Sequence, residues 1–439
     1  MSKRKIIIYL IIFCFLFLAT LFLIFFRQKF FNIGANSNPT CGNTNCGINA
    51  SAPVLLYSDN QMPYTMDANF ATLKQDDNTM CFFESGGTTQ KYCGSSDNPL
   101  KTFQWKKNMP TLWNMQGFDP DNSWNVWLKN IYQIDNHGDL LGFVHIETNR
   151  RPTNNPPPTS DVRYIVGLGF SSDNGDSWTY LGNIIKPQND SSSSVVAGVP
   201  ILAVGNYFYV YYNDYPTGGS KRVSVARALI ADVVNAAEKK TVSSWEKYNN
   251  GSWTQDGLTG VGSNIITTTA GGYPMNGDAV YDSTLNRYFI TTYSTESGTG
   301  KLLLYSSIDG INWENPIVIA QAAGRYYPYS TFVSFASDAS ADSNKVGTKF
   351  YILIDSKNVN NYNDDELYSS LITATAPTTA STGFGSAGVS TNASNNNYTS
   401  VATVAGQLVS TGSSIYVLIL VVIVILMVIL VWQYYKKVE

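Results

Sequence analysis

Hydrophobic positions fall into three regimes along the chain. Residues 6–26 and 415–432 are uncharged apolar runs, each long enough, at a helical rise of about 1.5 Å per residue, to cross a bilayer. From about 52 to 372 the pattern changes to short β-rich runs broken by Gly, Asn, Asp, Ser and Pro, with no sustained helical period. One stretch, 228–240, has helical character and reads as an insertion between strands. From 373 to 414 Ser, Thr, Ala, Gly and Asn replace nearly all charge and bulk, the composition of a flexible stalk.

Within the β-rich part, two successive sets of four strands can be marked: 200–204, 207–213, 222–228 and 245–248, then 278–281, 287–294, 302–306 and 313–320. Four strands in a unit of about 65 residues is the grammar of propeller blades. Dividing the region by that unit predicts an all-β propeller of five blades, the others lying near 52–108, 121–187 and 326–371. A sixth blade would have to lie in the irregular stretch before Trp124. Arg151 to Ser160, with its three consecutive prolines, cannot join a ladder and is expected as an exposed loop of the second blade.

Two corners stand out against this pattern. Ser171-Ser172-Asp173-Asn174-Gly175-Asp176-Ser177-Trp178 follows a strand-like run, and a shorter copy, Ser307-Ile308-Asp309-Gly310-Ile311-Asn312-Trp313, follows another. In each, an aspartate can accept backbone N–H bonds, a glycine can take positive φ, and a tryptophan can fold back as a plug. These segments resemble the Asp-box of sialidases and related β-propellers. The blade count and strand style are also similar to five-bladed glycosidases of the arabinanase, xylosidase and invertase type, and the likeness implies a glycan ligand. Where those enzymes carry a glutamate acid before Gly-Pro, this chain has Ala197-Gly198-Val199-Pro200, so no general acid is carried over. The Arg-Ile-Pro of sialidases is absent, and Arg163, Arg222, Arg287 and Arg325 cannot be assigned to their carboxylate-gripping triad.

Composition places the folded part outside the cytosol. Lys3, Arg4 and Lys5 precede the first apolar run, and Tyr434, Tyr435, Lys436 and Lys437 follow the second. Basic flanks of this kind remain in the cytosol and aromatic ones sit at the interface. The expected order is therefore a cytosolic tip and anchor (1–32), a linker (33–51), the propeller (52–372), the stalk (373–414), and a second anchor with a cytosolic tip (415–439). A cleaved signal peptide is the rival for the first run, but its length and the lack of a nearby small-x-small site favour an anchor. Cys41, Cys46, Cys81 and Cys93 form an even set between the anchors. Local pairing, Cys41–Cys46 with Cys81–Cys93, is the expected one of three connectivities. Charged residues make up 14% of the chain and nearly balance, with 29 Lys and Arg against 32 Asp and Glu. No electrostatic footprint for nucleic acid exists, and neither a metal site nor a cofactor is expected.

Chemistry in a propeller is sought where the inner strands converge. His145 and Glu147 share one face of a strand by two-residue periodicity, and an ionisable pair in an otherwise apolar run is costly to bury without a partner. Asp278 opens the inner strand of the fourth predicted blade. Glu147 and Asp278 are the expected acid–base pair of a two-carboxylate glycoside hydrolysis. His145, Asp214, Arg325 and Tyr327 are expected ligand contacts, while Asp119 and Asp121 lie in an ordinary turn sequence and are weaker candidates. The alternative to hydrolysis is adhesion, in which the same site binds a glycan or a protein without turnover.

Overall fold

The computed structural model describes residues between 40 and 375, apart from internal segments of which the longest are 109–122, 150–161, 267–276 and 335–343. Five sheets, antiparallel apart from one short parallel pair, succeed one another along it. Counted by their central strands, they run Ala71–Lys74 to Gln104–Asn108, Ser123–Gln133 to Thr179–Ile185, Val195–Ala197 to Ser252–Asp256, Ala279–Asp282 to Ile317–Ala323, and Ser330–Ser334 to Asn361–Thr375. The chain is a five-bladed β-propeller. In each blade the antiparallel run starts from its first strand, taken as the inner one, so the five inner strands start at one face of the ring, here termed the entry face; in the fourth blade Lys345–Val346 adds in parallel to the free side of Ala279–Asp282.

The first predicted blade is corrected at its start. Gly47–Ala50 and Val54–Tyr57 do not join the first sheet; they pair with Asn361–Thr375, in registers Gly47↔Thr375 and Val54↔Ser369, and form the outer edge of the fifth blade. Part of the expected linker is thus a strand, and the ring is closed by chain from both ends of the domain. The reason is geometric: a fifth blade built only from 330–375 has three strands, and the N-terminal segment supplies the fourth.

Five hydrophobic clusters occupy the five seams between blades. Leu141, Phe143, Val166 and Leu168 of the second blade meet Val196, Ile201, Phe208 and Tyr212 of the third. Val280, Phe289 and Leu304 of the fourth meet Phe332, Phe350 and Ile352 of the fifth. Each blade therefore buries both of its faces. Along Leu140–Asn149, Leu141 and Phe143 enter one seam while Val144 and Ile146 enter the other. This two-sided burial explains why the strands read as nearly continuous apolar runs rather than as an alternation.

The two singled-out corners join the third and fourth strands of the second and fourth blades. Ser171 Oγ donates to Asp173 Oδ1 at 2.8 Å and accepts from Gly175 N at 2.9 Å, and Asp173 in turn accepts from Ser177 N and Ser177 Oγ. The second corner repeats the scheme through Ser307, Asp309, Gly310 and Asn312. These donors hold both aspartates below the ordinary carboxylate range, although partial burial acts the other way. Gly175 has φ +82°, and Trp178 Nε1 donates to its carbonyl at 3.1 Å. Trp178 is 8% exposed in the core between the first two blades. A Cβ on Gly142 would lie 2.6 Å from the Trp178 ring, so that glycine leaves the space the plug fills.

Cys81 and Cys93 sit directly across neighbouring strands of the first blade and are disulfide-bonded inside the same core. Cys46 lies outside the described residues, and the expected Cys41–Cys46 pairing with it. The helical insertion is present as Ile230–Glu238, between the third and fourth strands of the third blade, with Val233 and Ala237 buried. Both predicted anchors and the stalk beyond Thr375 lie outside the described residues. No helix among the described residues is long and apolar enough to cross a membrane.

Removing the plug gives a direct test of the corner's role. Trp178→Ala is expected to lower stability by about 3 kcal/mol, read as a shift in the denaturant midpoint, while ligand binding by the folded fraction stays unchanged.

Candidate functional site at the entry face

The inner strands bring polar groups of four blades together around the axis. Asn69 Nδ2, ahead of the first inner strand, donates to the Lys129 carbonyl of the second at 2.9 Å. Next along that strand, Asn130 Nδ2 lies 3.4 Å from Asp278 Oδ1 of the fourth blade. Asp278 also accepts from its neighbour Ala279 N at 2.8 Å and, through Oδ2, from Phe332 N of the fifth blade at 3.0 Å. Phe70 N donates to Thr331 Oγ1 at 2.8 Å, which returns the circuit to the first blade. Asp278 was expected to point toward the axis; it is buried, and its bonds tie three blades together.

Lys129 stands beside this knot, 3% exposed. Its ammonium lies 5.2 Å from the centre of the Tyr329 ring, whose hydroxyl donates to Asp67 Oδ1 at 2.9 Å. Burial lowers the Lys129 ammonium to about 8, against the attraction of Asp67, Glu84 and Asp278. Burial likewise raises Asp278 to about 7, opposed by the Phe332 and Ala279 amides and by Lys129. Three carboxylates around one buried amine leave the axis rich in acceptors and poor in cations.

A second polar group lies in the seam between the second and third blades. His145 and Glu147 continue the face of Phe143, and Asp214 continues the face of Tyr212, both core residues of that seam. In each case the polar residues follow toward the entry face. His145 Nε2 is 3.7 Å from Glu147 Oε1, and the two side chains are 13% and 15% exposed. Asp214 Oδ2 is held by Arg222 Nη2 at 2.9 Å and Nε at 3.1 Å.

Glu147 and Asp278 have different partners in the structure. Glu147 is opposite Asn125 in its ladder, whereas Asp278 touches Asn130, five residues further along the same strand. Arg325 is drawn away from ligand duty as well, because it is occupied by Glu366 at 2.7 Å, Asp364 at 3.1 Å and the Ser356 carbonyl at 2.8 Å. Tyr327 is 1% exposed in the core between the fourth and fifth blades, and so presents no ring to a sugar. Burial pushes its hydroxyl well above the usual phenol range. Asp119 and Asp121 lie outside the described residues.

Sequence reasoning passed over Lys129, Asn130, Asn69 and Asp67. One signal was available: Lys129-Asn130 interrupts an apolar inner strand, and the ladder there is irregular, shifting between Phe143↔Asn130 and Val144↔Leu128 so that Lys129 is the extra residue.

Fold and site together define a five-bladed β-propeller whose inner strands meet through a cluster of buried polar side chains. No family description and no curated protein matches this sequence. Among solved structures, the chain is similar to an exo-β-1,3-galactanase from Phanerochaete chrysosporium crystallised with β-1,3-galactotriose, at 11% identity and a TM-score of 0.43 over 73% of this chain and 64% of that one. It is also similar to an α-L-arabinofuranosidase from Lactobacillus brevis, at 10% identity and TM-score 0.43 over 74% and 92%. A third likeness is to an α-L-arabinofuranosidase of Fusarium graminearum in complex with arabinobiose, at 11% and 0.40 over 74% and 98%. The blade count rests on the sheet topology and not on these likenesses.

The raised Asp278 makes a prediction of definite sign. In the unfolded chain the group titrates near 3.8 and in the folded one near 7, so its stabilising contribution is fully present below about pH 4 and is lost as pH rises through 7. Thermal unfolding of the wild type should show that decline between pH 4 and 7, and Asp278→Asn should flatten it.

Proposed function

We propose that this protein is a surface-displayed propeller of the glycoside hydrolase type that acts on glycans entering along the axis. The observation that carries this reading is the convergence of Asp67, Lys129, Asp278 and Tyr329, from four blades, on one another at the inner strands. Hydroxyl-rich ligands need many acceptors and donors at fixed positions, and the axis supplies them. In the catalytic form of this reading, a carboxylic acid gives its proton to the leaving glycosidic oxygen while a second carboxylate takes one from the attacking water. Glu147 and Asp278 are the groups put to the test in those roles.

Display at a membrane belongs to the same reading. Gly47 and Thr375 are opposite one another at the end of the fifth blade away from the entry face. A second reading, binding without turnover, is favoured by the state of Asp278, whose two oxygens are already engaged by three N–H donors.

Reducing-sugar release by the full-length protein from arabinan and β-1,3-galactan separates the two readings. Loss of release by about a hundredfold or more in Glu147→Gln and in Asp278→Asn, with folding retained, is expected for hydrolysis. Binding with no release by the wild type would assign the protein to adhesion, and absence of both would remove the glycan reading.

A further inference from the structure

We propose that the fifth blade processes itself: the Lys357 amine condenses with the Asp365 carboxyl into an amide cross-link between neighbouring strands, with Asp355 as the proton carrier. Lys357 and Asp365 are directly opposite in the ladder between Lys349–Asn358 and Asn361–Thr375, and Lys357 Nζ lies 2.8 Å from Asp365 Oδ2. Asp355 shares the face of Lys357 two residues away, with its Oδ2 3.7 Å from the same nitrogen. The side chains of Lys357, Asp365 and Asp355 are 0%, 1% and 0% exposed. They continue the face of Leu353 and Leu367, core residues of the seam between the fifth and first blades.

Such a site favours condensation over a lasting ion pair. Separate buried charges carry a desolvation cost that a neutral amide does not. Amine and carboxyl held in contact have also lost the entropy of encounter before they react. Asp355 adds a third reason. Neither of its oxygens receives a hydrogen bond among the described residues, whereas buried acceptors are as a rule satisfied; an amide on Lys357 would give it an N–H to accept. Burial, with the Asp365 carboxyl beside it, holds Asp355 well above the ordinary carboxylate range against the pull of Lys357. The protonated form that a proton carrier needs is thereby favoured. Arg325 also acts on Asp355, but its guanidinium is held by Glu366 and Asp364.

The step balances without an oxidant or a cofactor. Lys357 Nζ forms a bond to Asp365 Cγ and gives up two of its ammonium protons; one Cγ–O bond breaks, and that oxygen leaves with them as water. Asp355 takes protons from the nitrogen, hands them to the departing oxygen and ends as it began. Met66 N donates to Asp365 Oδ2 at 2.6 Å, where it stabilises the charge that gathers on the retained oxygen in the tetrahedral intermediate.

Peptide mapping of the denatured full-length protein by mass spectrometry tests this. Chymotryptic cleavage after Tyr362 opens the chain between the two residues, so the cross-link is expected as a branched peptide, lighter than its two arms by one water, and Lys357 should resist trypsin. Asp355→Asn, which keeps the shape but cannot relay protons, and Lys357→Arg should each abolish the branch. Linear peptides in the wild type, with Lys357 open to trypsin, would overturn the inference. So would a loss of water that maps elsewhere in the chain. A branch that persists in folded Asp355→Asn would overturn the role given to Asp355. The wild-type map decides on the cross-link by itself, whether or not either variant folds.

Discussion

Closure of the ring is the constraint on which the rest depends. Each hydrophobic cluster is shared by two neighbouring blades, so no blade holds a complete core of its own, and the burial of the last depends on the seating of the first. The join is made by backbone pairing between Gly47–Ala50 and residues 372–375, and by Ser51, whose hydroxyl accepts from Leu371 N and whose carbonyl accepts from Ser370 Oγ across about 320 residues of sequence. On the inner side, Asp365 Oδ2 accepts from Met66 N and from Lys357 Nζ, which binds the chain entering the first blade onto the fifth. Loop closure over such a length costs little more than over a shorter one. The pairing is nevertheless slow to find, because it joins contacts of very high sequence separation.

Much of this architecture was legible in the sequence. The four-strand sets, the helix at 230–238 and the corners at Asp173 and Asp309 are local features, written in turn chemistry and in runs of Val, Ile, Tyr and Phe. The shared face of His145 and Glu147 followed from strand periodicity alone. What escaped the sequence was partnership at long range. Val54–Tyr57 reads as a strand equally well in either blade, since four apolar residues carry no address. Arg325 reads as a free cation until Asp364 and Glu366 are found folded back against it.

The place of Asp278 at the head of an inner strand was legible, but its partners come from Asn130 and Phe332, 148 and 54 residues away. No pattern in the chain announces such a meeting. The same holds for Lys129, whose position in an apolar strand is anomalous by sequence and intelligible only once three acidic residues surround it. Polar residues at the axis thus satisfy one another, so that blades meet there without a hydrophobic plug.

The place where the chain enters and leaves the ring has a mechanical meaning. Gly47 and Thr375 face each other at one end of an antiparallel pair, so tension on the two chain ends would pull the strands apart at that end. The ladder would then open one rung at a time, like a zipper, instead of resisting as a block in shear. Under load the ring would fail first at its outer seam, shedding the N-terminal strand while the inner strands remain in register. The ladder is thus weakest against a load applied at its own two chain ends.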